Sequence, residues 1–286
     1  MGKPVVIGVG EFLWDVLPDG KKAGGAPVNF AYHASQNGAE GWAVSAVGND
    51  ILGDELVRTA VSNGINLEVS HVNCPTGTVL VHLKDGQPEY EICEDVAWDY
   101  IPVTEKSLGL AHMAGAISFG TLAQRKRKSR ETTKRLVEAC PANALRVYDI
   151  NLRQNFWSKE LIESSLEMSN VFKINDAELE ILKDIFGISD MDVERACRHI
   201  IDKWSLKMLI LTGGDKFSSI FHSGGVSFIS TPKVEVVDSV GAGDAFSGSF
   251  IAALLGGSSI TDAHKAAVET AAYVCTQAGA WTTKRK

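Results

Sequence analysis

Short, almost unbroken apolar runs recur along this chain, and most are followed by a stretch with the period of an amphipathic helix. Residues 5–9, 42–47, 114–119, 145–150, 171–174 and 208–211 are such runs. A strand that is apolar on both faces must be covered on both, and a parallel sheet flanked by helices meets that need. The stretches between them carry helix punctuation. Residues 27–37 open with Pro27 in a first turn and stop before Gly38, residues 54–63 stop at Gly64, and residues 177–186 stop at Gly187. Alternation of this kind builds right-handed βαβ units. The expected fold is therefore α/β, a doubly wound and mostly parallel sheet with helices on both faces.

Two stretches break the rhythm. Residues 11–22 and about 69–101 have no helical period, and within the second, residues 77–83 alternate as a strand. A turn at Lys84-Asp85-Gly86-Gln87 and a further strand at Tyr90-Glu91-Ile92 complete an antiparallel piece. Such a piece either extends the main sheet or forms a separate flap; the expectation adopted is a small β-sheet lid inserted in one domain spanning residues 1–286. No repeat or long linker divides the chain.

The net charge of −7 argues against a nucleic-acid or anionic-membrane partner, since both reward a basic surface. Arg125-Lys126-Arg127-Lys128 is a local exception, read as a solvated loop and helix start rather than a phosphate-binding patch. Five scattered cysteines show no metal-ligand or disulfide spacing. The first apolar run is too short for a signal peptide, and no run approaches a membrane span, so a cytoplasmic protein is expected.

The most informative segment is residues 234–246, VEVVDSVGAGDAF. It reads as a strand, a small-residue turn and a helix running from about Asp244 to Leu255. Gly241, Ala242 and Gly243 would leave backbone N–H groups bare at a helix N-terminus, where an anion gains hydrogen bonds and the helix dipole. No Walker A loop occurs, and a dinucleotide fingerprint starting at Gly241 fails at Phe246. Asp244 either caps the helix or acts on a ligand beside the turn. Asp149, Asn151 and Arg153 alternate after an apolar strand, so an extended segment would point them to one side. Asn175 and Glu178 have the spacing of a capping box and of a pair that could order metal-bound water.

The segment around Asp244 resembles the second signature of the ribokinase-like, or pfkB-type, carbohydrate kinases. Ala23-Gly24-Gly25-Ala26-Pro27-Val28-Asn29, with Val44 to Asp50 and Gly53, looks like the first. The resemblance implies ATP-dependent phosphorylation of a sugar hydroxyl, with Asp244 as general base and Gly241-Ala242-Gly243 holding the transferring phosphoryl group. It implies sugar contacts at Asp15, Gly24, Gly25 and Asn29, and nucleotide contacts at Asn175, Thr212, Gly213 and Gly214. It also implies Mg²⁺ with ATP, reached through water by Glu178, and a K⁺ ion as a possible activator at Asp238 and Val240. Residues 149–157 and Ala97-Trp98-Asp99 look fructokinase-like, which adds Asp149, Asn151, Arg153 and Trp98 as sugar contacts; for Trp98 a packing role is equally open. Val268 departs from the family, where many relatives have Asn beside the adenine. The implied partners are a small-molecule sugar and ATP, with a homodimer through the lid possible. Kinases for ribose, 2-keto-3-deoxygluconate or a nucleoside, and a sugar-sensing homologue without catalysis, are the alternatives; the last would be expected to lose Asp244 or the glycine turn, and both are intact.

Overall fold

The computed structural model of the chain describes residues 2–17, 20–84 and 87–282. Strand β1 (Val5–Val9) leads through β2 (Leu13–Leu17) and β3 (Gly20–Gly24) to helix α1 (Ala26–Gln36). Next come β4 (Glu40–Gly48), α2 (Ile51–Ser62), β5 (Asn66–Val72), β6 (Gly77–Lys84) and β7 (Gln87–Ile92). A buried 3₁₀ turn (Ala97–Tyr100) precedes α3 (Glu105–Met113), β8 (Ala114–Gly120), α4 (Arg127–Ala139) and β9 (Leu145–Asp149). The chain continues through α5 (Lys159–Glu167), β10 (Val171–Asn175), α6 (Asp176–Phe186), α7 (Val193–Trp204) and β11 (Met208–Thr212). A hairpin of β12 (Phe217–His222) and β13 (Gly225–Ser230) is followed by α8 (Ala242–Leu255) and α9 (Ile260–Cys275).

The larger sheet has the order β13-β12-β11-β10-β9-β8-β1-β4-β5, and only its β11-β12-β13 edge is antiparallel. From β1 the chain builds outward to β4 and β5 on one side, then returns to place β8 on the other. The switch point lies at the carboxyl ends of β1 and β8, where open α/β sheets gather ligands. Alternate residues of each strand face opposite sides, as the apolar runs require. Val6, Ala116, Val147 and Ile210 pack under α8 and α9. Ile7, Ile117, Tyr148 and Leu209 face the other layer. There Phe119, Tyr148 and Phe172, in register on three parallel strands, stack ring on ring with centroids 5.4 Å apart at each step.

The second sheet has the order β3-β2-β6-β7 and is separate from the first. It is smaller than the expected 11–22 and 69–101. Residues 69–72 finish β5, which pairs in parallel with β4 in the large sheet, and the 3₁₀ turn at 97–100 is buried in the core. Of the expected turn at 84–87, Asp85 and Gly86 lie outside the described residues. Residues 234–237 form no strand, although three of the four are valine. Val236 and Val237 are each 63 % exposed, and the Val237 N–H donates to Cys275 O (2.8 Å) at the end of α9.

The basic run is not wholly solvated either. Arg125 is buried, donates to both carboxylate oxygens of buried Asp99 (2.8 Å each), and lies over the Trp98 ring at 4.0 Å. A guanidinium can be buried when it is paired and stacked in this way. Because Phe172 closes the aromatic stack inside the sheet, Phe172→Ala is expected to destabilise the protein by about 3–5 kcal/mol. Urea unfolding monitored by circular dichroism measures this; a loss under about 1 kcal/mol would contradict the close packing of Phe172 in the stack.

Candidate active site

Helix α8 starts at Ala242, two residues before the position read from the sequence, and its N-cap is Gly241 with φ 77°. Gly241 has no side chain to cap with, and the Asp244 carboxylate does not cap the helix. It turns instead toward α1, where Asp244 Oδ2 accepts a hydrogen bond from Asn29 Nδ2 (2.8 Å). Of the glycine-turn N–H groups, that of Ala242 is turned back on Ser239 O (3.3 Å), so the donors the turn can offer a ligand are those of Gly241, Gly243 and Asp244. Lys173, on β10, faces the same place: a Cβ on Gly243 would stand 3.4 Å from its Nζ.

Buried Lys173 donates to Asp149 Oδ2 (2.7 Å). Burial alone would lower its pKa, but Asp149, Asp244 and Glu178 outweigh that and hold it above its ordinary value. Burial and the nearby Asp149 push Asp244 up from 3.8 to about 6, against the pull of the Asn29 bond, Lys173 and Arg153. Glu11, buried where β1 ends, is pushed up to about 7 by burial. Its own N–H and that of Ala123 oppose the rise, and Asp244 adds to it. A cluster of carboxyls with pKa values drawn toward neutrality is suited to moving a proton near neutral pH.

The sugar-binding residues expected from the sequence converge next to this cluster. Gly25, at φ 125°, lets the chain pass so close to Glu11 that a Cβ would lie 2.1 Å from the Glu11 carbonyl oxygen. Asp15 Oδ2 lies 3.3 Å from where a Gly24 Cβ would be, and burial raises the Asp15 pKa. Asn29 is buried, and its Oδ1 accepts from Trp281 Nε1 (2.8 Å). Of the residues expected to contact a nucleotide, Asn175 and Thr212 are register partners at the ends of β10 and β11, with Gly213 and Gly214 just beyond.

The protein belongs with proteins of known type. The pattern of the pfkB family of carbohydrate kinases matches residues 19–286. The chain belongs to that family. An uncharacterised sugar kinase of Pyrococcus horikoshii is 26 % identical over 284 residues, covering 96 % of this chain and 87 % of the relative. Fructokinase-1 of Zea mays is 28 % identical over 311 residues, covering 100 % and 93 %. A fructokinase of Vibrio cholerae O395, solved with fructose, ADP and a calcium ion, superposes with a TM-score of 0.80 at 22 % identity, covering 98 % and 95 %; at that identity it bears on the fold alone.

Several site expectations for this kinase change once the geometry is seen. Trp98 is 1 % exposed, wedged between Arg125 and the core, so its ring has no face free for a sugar. Asp149 and Asn151 do not alternate in an extended segment, because Asn151 turns to φ 39° and Gln154 to φ 47°. Arg153 nevertheless comes round near enough to lower the Asp244 pKa. Asn175 and Glu178 form a reciprocal capping box, and the second Glu178 oxygen accepts from the Leu152 N–H (3.0 Å). Asp238 accepts from the Val240 and Gly279 N–H groups and pairs with Lys22 Nζ (2.9 Å). An ammonium thus stands at the carboxylate where a K⁺ ion was expected. Val268 is buried among apolar residues of α8 and α9. Among the described residues no three His, Cys, Asp or Glu side chains converge as a metal site, and no helix is long and apolar enough to cross a membrane.

Lys173, Glu11 and Trp281 were not singled out from the sequence. For Lys173 a signal existed, since it is the one charge inside the apolar run 171–174. The Asp244 shift also has a stability consequence. Below pH 3.8 folded and unfolded chains both hold the proton; above about 6 the folded protein carries an ionised carboxylate that folding disfavours. Asp244→Asn is therefore expected to have a higher Tm than wild type at pH 7.5, with the difference shrinking toward pH 4. Calorimetry at both pH values checks it, and a lower Tm at pH 7.5 contradicts the desolvation argument.

Proposed function

We propose that this carbohydrate kinase transfers the γ-phosphoryl group of ATP to a hydroxyl of fructose, with Asp244 as general base. The observation that carries this reading is the placement of Asp244. It lies in the first turn of α8, bonded to Asn29 rather than capping the helix, and shares its surroundings with Lys173 and Arg153. Relatives named fructokinase support fructose as the acceptor.

In this mechanism Asp244 takes the proton of the acceptor hydroxyl as its oxygen bonds to the γ-phosphorus and the bond to the β-phosphate oxygen breaks. The N–H groups of the glycine turn, the α8 dipole and Lys173 face the charge of the transferring group. Asp15 and the backbone at Gly24 and Gly25 hold sugar hydroxyls, with Arg153 closing from the other side. Thr212, Gly213, Gly214 and Asn175 flank the nucleotide. Mg²⁺ bound with ATP would supply charge neutralisation of the phosphates, and Glu178 is the residue that would hold it through water; the acid-rich pocket, with no three-carboxylate cage among the described residues, fits a cation held mainly by phosphates. The small sheet excludes water from the reacting groups.

An ionised base is required, so kcat with fructose is expected to fall as pH drops through about 6, the Asp244 pKa. Asp244→Asn is expected to lower kcat about 10²- to 10⁴-fold while ATP still binds. Near-wild-type turnover by the folded variant would rule Asp244 out as the base. In a coupled assay over a sugar panel, fructose is expected to give the highest kcat/KM. Faster turnover of ribose, 2-keto-3-deoxygluconate or adenosine would overturn the acceptor while leaving the kinase. Activity is expected to be the same in Na⁺ and K⁺ buffers, given the Lys22–Asp238 pair.

A further inference from the structure

We propose that Trp281 is a positioning residue: its indole N–H fixes which way round the Asn29 carboxamide lies and so keeps an amide N–H on Asp244. The proposal rests on Asp244 being the base.

After α9 the chain returns across α1, and three contacts pin it there. The Gly279 N–H donates to Asp238 Oδ2 (3.2 Å). The Ala280 carbonyl accepts from His33 Nε2 (2.8 Å). Ala280 also lies so close to the glycine turn that a Cβ on Gly241 would be 2.6 Å from its own. Thus clamped, Trp281 presents Nε1 to Asn29 Oδ1 (2.8 Å).

An indole has one donor and no acceptor, so it can bond only the oxygen end of a carboxamide. The two ends of that group are otherwise nearly interchangeable in shape. With oxygen held by Trp281, nitrogen must face Asp244, where it donates to Oδ2 (2.8 Å). A flipped amide would set oxygen against the ionised carboxylate, which repels it. It would suit the protonated acid, which could donate to that oxygen. By forbidding the flip, Trp281 denies the protonated form a partner and keeps the base ionised at lower pH. The other charged groups around Asp244 are Asp149 on β9, Arg153 in the loop after it, Lys173 on β10 and Glu11 after β1. None of them touches Trp281 in the contacts described, so a change at 281 reads out the amide lock.

The test is the pH profile of kcat in Trp281→Phe, which keeps an aromatic ring and loses the donor. The acid limb is expected to move up by roughly 0.5–1 unit, the scale of one hydrogen bond. At pH 8.5, where Asp244 is ionised in both proteins, kcat is expected within about twofold of wild type, with the KM for ATP unchanged. If Trp281→Phe folds poorly, site-specific benzothienylalanine at 281, which has the shape of Trp without the N–H, replaces it. A purely structural role for Trp281 predicts a lower Tm and a uniformly lower kcat with the limb in place, and an unmoved limb in either variant overturns the proposal. Asp244→Asn run in parallel separates the two failures. If it is inactive while the limb stays put in the Trp281 variant, only the amide lock is wrong; if it is as active as wild type, the base assignment itself has failed.

Discussion

One buried ammonium organises the cleft. Lys173 interacts electrostatically with Asp149, Asp244 and Glu178, and is bonded directly to the first. Stripping an ammonium of water is tolerable only if acids replace the water, and stripping those acids is tolerable only because the ammonium is there. The arrangement is unequal. Lys173 and Arg153 face Asp149, Asp244, Glu178 and Glu11, so full ionisation would leave an excess of negative charge where, under the proposed function, a triphosphate is received. Two things relieve it. Glu11 and Asp244 have pKa values raised to about 7 and about 6, so their charge is partly withheld near neutral pH. Under the proposed function, a divalent cation on the nucleotide would offset part of the negative charge that the nucleotide adds. The raised Asp244 pKa and the proposed use of a metal-bound nucleotide then answer to one imbalance.

The fold delivers these groups by a simple rule. Glu11, Asp149 and Thr212 stand at or just beyond the carboxyl ends of strands in the large sheet, Lys173 stands two residues before the end of β10, and the strand order reverses between β1 and β8. The remaining members come from helices that reach the same edge. Helix α1 brings Asn29 and α8 brings Asp244. Gly248 lets the two helices approach so closely that a Cβ there would be 2.5 Å from the Phe30 carbonyl oxygen. The Asn29–Asp244 hydrogen bond, between residues 215 apart in sequence, depends on that approach.

Much of this was readable from the sequence because it is local. A buried parallel strand announces itself by an apolar run, and all six runs named at the outset are strands of the large sheet. The glycine turn and Asp244 were legible as a short contiguous pattern at a helix start. Residues 234–237 misled because a valine-rich segment gives the same signal whether or not a neighbouring strand is available to pair with it. Trp98 misled for a related reason. An aromatic in a polar stretch looks exposed until Arg125 is known to lie over its ring while pairing with Asp99, 26 residues away. Long-range partners are what a single sequence hides, and Trp281, which lies 252 residues from Asn29, is the extreme instance.

The same limit explains why the C-terminal residues matter more than their position suggests. Asp238 accepts from the Val240 N–H at the approach to α8 and from the Gly279 N–H in the returning tail, and it pairs with Lys22 on β3. One carboxylate therefore ties the small sheet, the glycine turn and the tail that carries Trp281. The Lys22 pair is half exposed on its lysine side and so contributes little stability by itself. The two backbone N–H bonds are geometrically stricter, because they fix where the Gly241 turn and Ala280 meet. Asp244 is thus oriented from two directions at once. The α8 backbone sets where its carboxylate starts, and the chain beyond α9, acting through Trp281 and Asn29, sets what that carboxylate finds.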